Sequence, residues 1–287
     1  MSNLLNSGPN IYIPFVYTFR SRLVRLSEKI SWFIVYPLLV AVPCYFEAAL
    51  PIDSYLNVFF LSLVAWQSIY EIGYLYNDSL TIRNESDPTL RFSREILESI
   101  SARIPKAVFV RLVVTILILY WLWQHYGASV SVGLFAIAIC LSQGAFFLHN
   151  KLRSRMNILS YALLSATKYL AFPLLVFGLS RPMLLAFYIV IFTLPRTMEH
   201  AVKVKYGLRW LKFNVVGELE VFRVKYYLIL VGLYTIIFLF STAGERSVIV
   251  FLMTSISMLV YRMVIWMVIK TGRYRRSKFR VHDWSQR

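Results

Sequence analysis

Apolar residues run along this chain in eight stretches, at about 30–50, 55–75, 107–124, 129–148, 157–179, 182–198, 225–241 and 248–269. Each is close to the roughly 20 residues that a helix rising about 1.5 Å per residue needs to cross a bilayer. The sixth ends in a polar run containing Arg196, Thr197, Glu199 and His200. Connections alternate in kind: those at 51–54, 126–128, 180–181 and 242–247 are short, and the ones between them are long and charged. The pattern predicts an all-α, polytopic transmembrane bundle of about eight spans. Two weaker patterns lie outside the spans. In 11–29, Ile13, Phe15, Tyr17 and Phe19 mix with Arg20, Arg22 and Arg25, which predicts an arm lying along the membrane surface. In 93–104, Ile96, Leu97 and Ile100 fall at helical spacing ahead of Pro105, which predicts a short amphipathic lid helix. The chain therefore divides into a basic arm (1–29), one membrane domain (30–270) with polar loops at 77–106 and 196–224, and a basic tail (271–287).

Composition agrees and adds an orientation. Of 287 residues, 58% are hydrophobic and only 16% charged, with a mean hydropathy of +0.60, against about 25% charged in soluble domains. The net charge of +17 would suggest nucleic-acid binding in a soluble protein. Here only Arg181 and Arg246 fall in short connections, and Arg111, Lys168 and Arg262 fall within spans. The other basic residues occupy the arm, the loops after spans two, four and six, and the tail. The positive-inside rule then places both termini and those loops in the cytoplasm, and nucleic-acid binding drops out. The localisation expected is multi-pass in a bacterial-type inner membrane, with the basic tail as a topology anchor or, alternatively, a contact for anionic lipid. Cys44 and Cys140 both lie in apolar runs, which excludes a disulfide scaffold.

Acidic residues are scarce, 14 in all, and Glu71, Asp78, Glu85, Asp87, Glu95 and Glu98 are gathered in one stretch. A helix continuing past Asp78 would put Asp78, Thr81 and Glu85 on one face, at i, i+3 and i+7, with Asn77 beside them. Such a row of oxygens suits Mg²⁺, which is held by one or two carboxylates together with substrate phosphates. Arg83, Arg91, Arg94 and Arg103 would meet phosphate oxygens. The plain alternative is that these acids solvate a basic loop and pair with its arginines. Arg196, Glu199 and Lys203 share a second face, as metal and phosphate ligands or as a simple Glu199–Lys203 surface pair. Lys168 lies near the middle of span five, about 17 Å from either end at about 1.5 Å per residue, where a charge faces a polar cavity or a partner. Arg262 is expected to snorkel to the interface, Arg111 to serve topology, and Glu71 to project at cavity depth or act as a hydrogen-bonded structural acid. His149 reads as structural, and most aromatic residues read as interfacial belts.

The run Asn77-Asp78-x-x-Thr81-x-x-x-Glu85 resembles the first signature of the UbiA superfamily of membrane prenyltransferases, with Thr81 and Glu85 at its second and third aspartate positions. Pro88-Thr89-Leu90-Arg91-Phe92 resembles an element of the polyprenyl-phosphate phosphoribosyltransferase branch. The resemblance implies a UbiA-like, Mg²⁺-dependent transferase that moves a group off a diphosphate-bearing donor. Carried over by position, it implies metal ligation by Asn77, Asp78, Thr81, Glu85 and Glu199 and catalytic roles for Asp78 and Glu85, to which the mid-span charge of Lys168 adds a third catalytic candidate on its own account. Phosphate binding would fall to Arg83, Arg91, Lys151, Arg196 and Lys203, with Phe146 where the family has a tyrosine ahead of the lysine. In the phosphoribosyl version the lipid substrate is a polyprenyl phosphate feeding surface-polysaccharide synthesis. In the prenyl version, a prenyl diphosphate alkylates an aromatic or other small acceptor. The family pattern also implies nine spans, whereas the last 17 residues are too polar to supply another. After span six it implies several carboxylates, and here Glu199 stands alone, so one metal ion fits better than two. A non-catalytic protein or a transporter is the remaining class, with Pro37, Pro43 and Pro173 inside spans.

Overall fold

The computed structural model describes residues 8–81, 90–152, 154–241 and 245–272. Among them every long element is helical. A short α1 (Val16–Ser21) precedes eight helices long and apolar enough to cross a membrane: α2 (Leu26–Glu47), α3 (Ile52–Ser79), α4 (Arg94–Tyr126), α5 (Val132–Lys151), α6 (Asn157–Phe177), α7 (Pro182–Ala201), α8 (Leu219–Phe240) and α9 (Arg246–Lys270). The eight apolar runs each yield one helix, and the chain is a multi-pass integral membrane protein. The consecutive pairs α3–α4, α5–α6 and α8–α9 pack most closely.

Proline and glycine shape the bundle. Pro37 sits in a π-helical turn at Ile34–Leu38 of α2, and a second such turn, Ile189–Thr193, precedes Pro195 in α7. Pro195 has no N–H for the Ile191 carbonyl four residues back. That carbonyl accepts instead from Tyr227 OH at 2.9 Å, and the Val190 carbonyl accepts from Tyr226 OH at 2.6 Å, so α8 supplies donors that lipid cannot. Gly73 lets α3 approach α5: a Cβ there would lie 2.4 Å from the Phe146 ring.

Two expectations about local structure are overturned. The segment after Ser93 is no separate lid, because α4 runs unbroken through Pro105. Its first turns are held straight by packing: Ile100, Ile104 and Ala107 join Ile11, Tyr17 and Leu75 in a second apolar core. Nor does the N-terminal arm lie on the surface, since Ile11 and Tyr17 are fully buried. What draws it in is polar. Arg111 on α4 donates to the carbonyls of Ile11 (2.8 Å), Ile13 (3.2 Å) and Ser68 (2.9 Å) and to Glu71 Oε2 on α3 (2.7 Å). Glu71 Oε1 accepts from the Thr18 N–H at 2.7 Å and from Gln67 Nε2 at 3.3 Å. Arg111 and Glu71 are both 0% exposed, so Arg111 is a structural ion-pair partner rather than a topology signal, and Glu71 is the hydrogen-bonded acid that ties the arm to the bundle.

Candidate functional site

Tyr70, Tyr74 and Asn77 project from one face of α3, at spacings of four and three. Opposite them α6 presents Tyr161, Ser165, Lys168 and Tyr169, again on one face. Together with Arg22, Arg91, His149, Asn150 and Arg196 they enclose a chamber of about 350 Å³. A second chamber of about 350 Å³ lies against α2, α8 and α9, lined by Ser31, Trp32, Tyr36, Glu199, Arg223 and Arg262 among others. Arg22, Lys168 and Arg196 line both chambers, which adjoin along this common wall of cations.

Asp78 is 1% exposed and stands behind this wall. Its Oδ1 accepts from Arg22 Nη2 at 2.7 Å and from Asn77 Nδ2 at 3.1 Å; its Oδ2 accepts from Tyr17 OH at 2.9 Å and faces Arg91 Nε at 3.4 Å. Burial, with the adjacent Asp78 carboxylate, holds the Tyr17 hydroxyl well above its ordinary pKa, so it stays protonated and donates. Arg91 Nη1 also donates to the Ser21 carbonyl at 3.2 Å. Asp78 thus aims two guanidiniums.

The row of metal ligands does not form as the spacing predicts. The α3 helix ends at Ser79, and the Thr81 hydroxyl folds back onto the Asn77 carbonyl (3.1 Å) and Asn77 Oδ1 (3.2 Å). Glu85 and Arg83 lie outside the described residues. On α7, Glu199 does not pair with Lys203. Its two oxygens accept from Arg223 Nε and Nη2, each at 2.5 Å, while Arg223 Nη1 reaches Glu220 at 2.6 Å. Lys203 lies past the end of α7, its Nζ 3.1 Å from His200 Nδ1. No group of three His, Cys, Asp or Glu side chains able to hold a metal occurs among the described residues. Each described carboxylate of the expected set already has guanidinium partners on both oxygens or on one oxygen with the other hydrogen-bonded, so these residues do not fit Mg²⁺.

Lys168 sits among rings, its Nζ 4.3 Å from the Tyr36 centroid and 5.8 Å from those of Tyr70 and Tyr169. The Arg196 guanidinium lies 5.3 Å from the Tyr169 centroid. Among the described residues neither makes an ion pair with a carboxylate, and neither does Arg262. Among the described residues, the buried atoms Ser165 Oγ, Tyr169 OH, Arg22 Nε and Arg262 Nε have no hydrogen-bond partner. Clustered cations, buried hydroxyl and guanidinium donors and aromatic walls within a low-dielectric bundle are the features that suit an anion.

No family model, curated protein or solved structure matches this chain. Its chemistry therefore rests on the geometry and on the residues themselves.

Of the residues singled out by sequence, Asp78, Asn77, Arg91, Lys168, Arg196 and Glu199 come together around the two chambers. Lys151 does not: it lies outside, against an apolar groove, with its Nζ 5.8 Å from the Phe147 ring. Arg262 points into the second chamber rather than snorkelling outward. Sequence reasoning missed Arg22, Arg223 and the four cavity tyrosines. The signal for the tyrosines was available in the i, i+4 pairing of Tyr70 with Tyr74 beside Asn77. His200 braces another of them, stacking on Tyr161 at 3.9 Å, while its Nε2 lies 3.1 Å from Asn157 Oδ1 and 2.7 Å from Tyr206 OH.

Proposed function

We propose that this chain is a UbiA-type membrane transferase that moves a group off a diphosphate-bearing donor, with a polyprenyl phosphate as acceptor and phosphoribosyl diphosphate as donor. The observation that carries the reading is the pair of cation-lined chambers, in which Lys168 and Arg196 have no described carboxylate partner. A diphosphate brings the charge they lack. As the bond from carbon to the diphosphate oxygen breaks, its electron pair leaves on that oxygen, and Lys168, Arg196, Arg22 and Arg91 stabilise the growing charge. Ser165 Oγ and Tyr169 OH donate to non-bridging oxygens. The electron-poor carbon is captured by a phosphate oxygen of the acceptor, whose lone pair makes the new bond. The ring faces of Tyr70 and Tyr169 shield that carbon from water. The lipid chain lies in the apolar groove of about 630 Å³ outside α3 and α5, which shares Phe146 and Asn150 with the first chamber. In this reading the chambers open towards the cytoplasm of a bacterial inner membrane. The metal ion implied by the family resemblance takes no step here, because the described carboxylates are engaged by arginines.

The test is turnover by the purified full chain in lipid nanodiscs. Labelled phosphoribosyl diphosphate with a polyprenyl phosphate is compared with prenyl diphosphates and aromatic acceptors, each with Mg²⁺ and with EDTA. We expect label in the lipid phase with the first pair, and a loss of roughly 10- to 100-fold in Arg196→Gln, the scale of one hydrogen bond to a charged group. Turnover of the prenyl donor alone moves the protein to the prenyl branch. No turnover of either donor, together with no binding of the lipid phosphate, overturns the transferase reading.

A further inference from the structure

We propose that the chamber against α2, α8 and α9 is a second anion site, built from guanidinium groups where a metal would be expected, which takes a soluble phosphorylated molecule while a lipid phosphate fills the first chamber. The inference rests on the reading above and assigns its two substrates to separate places.

Three observations carry it. The first is chemical. Glu199 is clamped by both of its oxygens to Arg223, and Arg223 is steadied from its other side by Glu220. The carboxylate that could have held a cation holds a cation of the protein instead, and it fixes that guanidinium in the wall of the chamber. Arg196, Lys168 and Arg262 line the same space without a carboxylate partner among the described residues, and the Nε of Arg262 is a buried donor with nothing to receive it. A planar guanidinium with unspent donors matches the oxygens of a phosphate or a carboxylate, and several cations around one space suit the multiply charged phosphate.

The second observation is spatial. The chambers are of equal size, about 350 Å³ each, and share Lys168 and Arg196 in their linings, so an anion in either one faces both cations. Two anions held this way are drawn to the same wall rather than kept apart by it, which brings a donor and a charged acceptor within reach of each other.

The third distinguishes the occupants. Phe146 and Asn150 line both the first chamber and the apolar groove outside α3 and α5, so a lipid can lie in the groove and put its phosphate in that chamber. The second chamber shares no residue with that groove. Its rim includes Leu23 and Glu28, half-buried residues flanking the exposed stretch 24–27, where a water-soluble molecule has access. An acceptor that carries its own phosphate needs two anion sites, whereas an uncharged aromatic acceptor needs one. The second chamber therefore favours the phosphorylated acceptor.

The experiment is calorimetric titration of the full chain in nanodiscs, with EDTA throughout, using inorganic diphosphate as the soluble probe and a polyprenyl phosphate built into the bilayer as the other. The expected result is one diphosphate bound per chain even when the lipid phosphate is saturating. Arg262→Gln should weaken diphosphate binding at least tenfold and leave lipid-phosphate binding within about twofold, while Arg91→Gln should do the reverse. Arg262→Lys, which keeps the charge, should recover part of the diphosphate affinity and serves if the Gln variant does not fold. Displacement of diphosphate by the lipid phosphate, loss of binding in EDTA, or unchanged affinity in both Arg262 variants would overturn the second site while leaving a one-chamber transferase standing. Failure of both probes to bind would overturn the site and the transferase reading together.

Discussion

Asp78 shows what sequence spacing conveys at the scale of one residue and what it misses. The gathering of scarce acids marks the right place, but the partners that define Asp78 are Arg22 and Tyr17, 56 and 61 residues earlier in the chain, and Arg91. No local pattern encodes those distances in sequence. A metal ligand and an arginine anchor differ in what mutation does to the empty protein. If Asp78 aims guanidiniums, Asp78→Asn leaves two part-buried cations, Arg22 and Arg91, short of their counter-charge. It should then destabilise the ligand-free protein by about 1.5–3 kcal/mol, the range for hydrogen bonds to a charged group. Denaturation of the purified protein in detergent, with EDTA and without added metal, measures this directly. A metal ligand would behave in the opposite way, since removing negative charge from an empty site relieves repulsion and raises stability. The same contrast explains Glu199, which spacing pairs with Lys203 and the fold gives to Arg223.

Elements were legible where they obey the bilayer and illegible where they obey each other. Eight apolar runs could only be spans, because each has the length and lacks the charges that would prevent crossing. Pro105 misled because a proline ends a helix only when nothing else holds it, and here Ile100, Ile104 and Ala107 pack against the buried arm. The arm itself was unreadable, since its docking partner Arg111 lies 100 residues from Ile11. The tight contact between α3 and α5 is legible only afterwards, at Gly73. A side chain added there meets the ring of Phe146, which lines both the first chamber and the groove. Gly73→Val should therefore destabilise the α3–α5 contact by about 1–3 kcal/mol, the range for overpacking. Phe146→Ala in the same chain should recover much of that loss. A double-mutant cycle on thermal or denaturant unfolding tests the contact, and strictly additive losses would refute it.

Across the whole molecule the surplus charge has two destinations. The positive-inside rule assigns most basic residues to one face of the membrane as an expectation, but Arg22, Lys168, Arg196, Arg223 and Arg262 converge on the two chambers. Sequence could flag Lys168, because a charge amid an apolar run demands a reason, yet it could not show that four arginines from four separate segments meet it. Like charges brought together in low dielectric repel, so the empty protein stores that repulsion and an anion releases it. Two consequences follow for Lys168→Met, which removes one cation and keeps much of the volume. The ligand-free variant should melt higher than the wild type, because Lys168 gives up no described ion pair and the remaining cations lose a repelling neighbour. The wild type, in turn, should gain about 2.7 kcal/mol at a hundredfold excess of inorganic diphosphate over its dissociation constant, and the variant should gain clearly less at the same concentration. Thermal melts of both proteins in detergent, with diphosphate titrated at constant ionic strength, separate the specific effect from screening. If Lys168→Met melts lower than the wild type without ligand and responds equally to diphosphate, Lys168 is a packing residue held by Tyr36, and the common wall of the chambers is structural. If the curves cross as diphosphate rises, the stability given up in the empty bundle is what makes it a receptor.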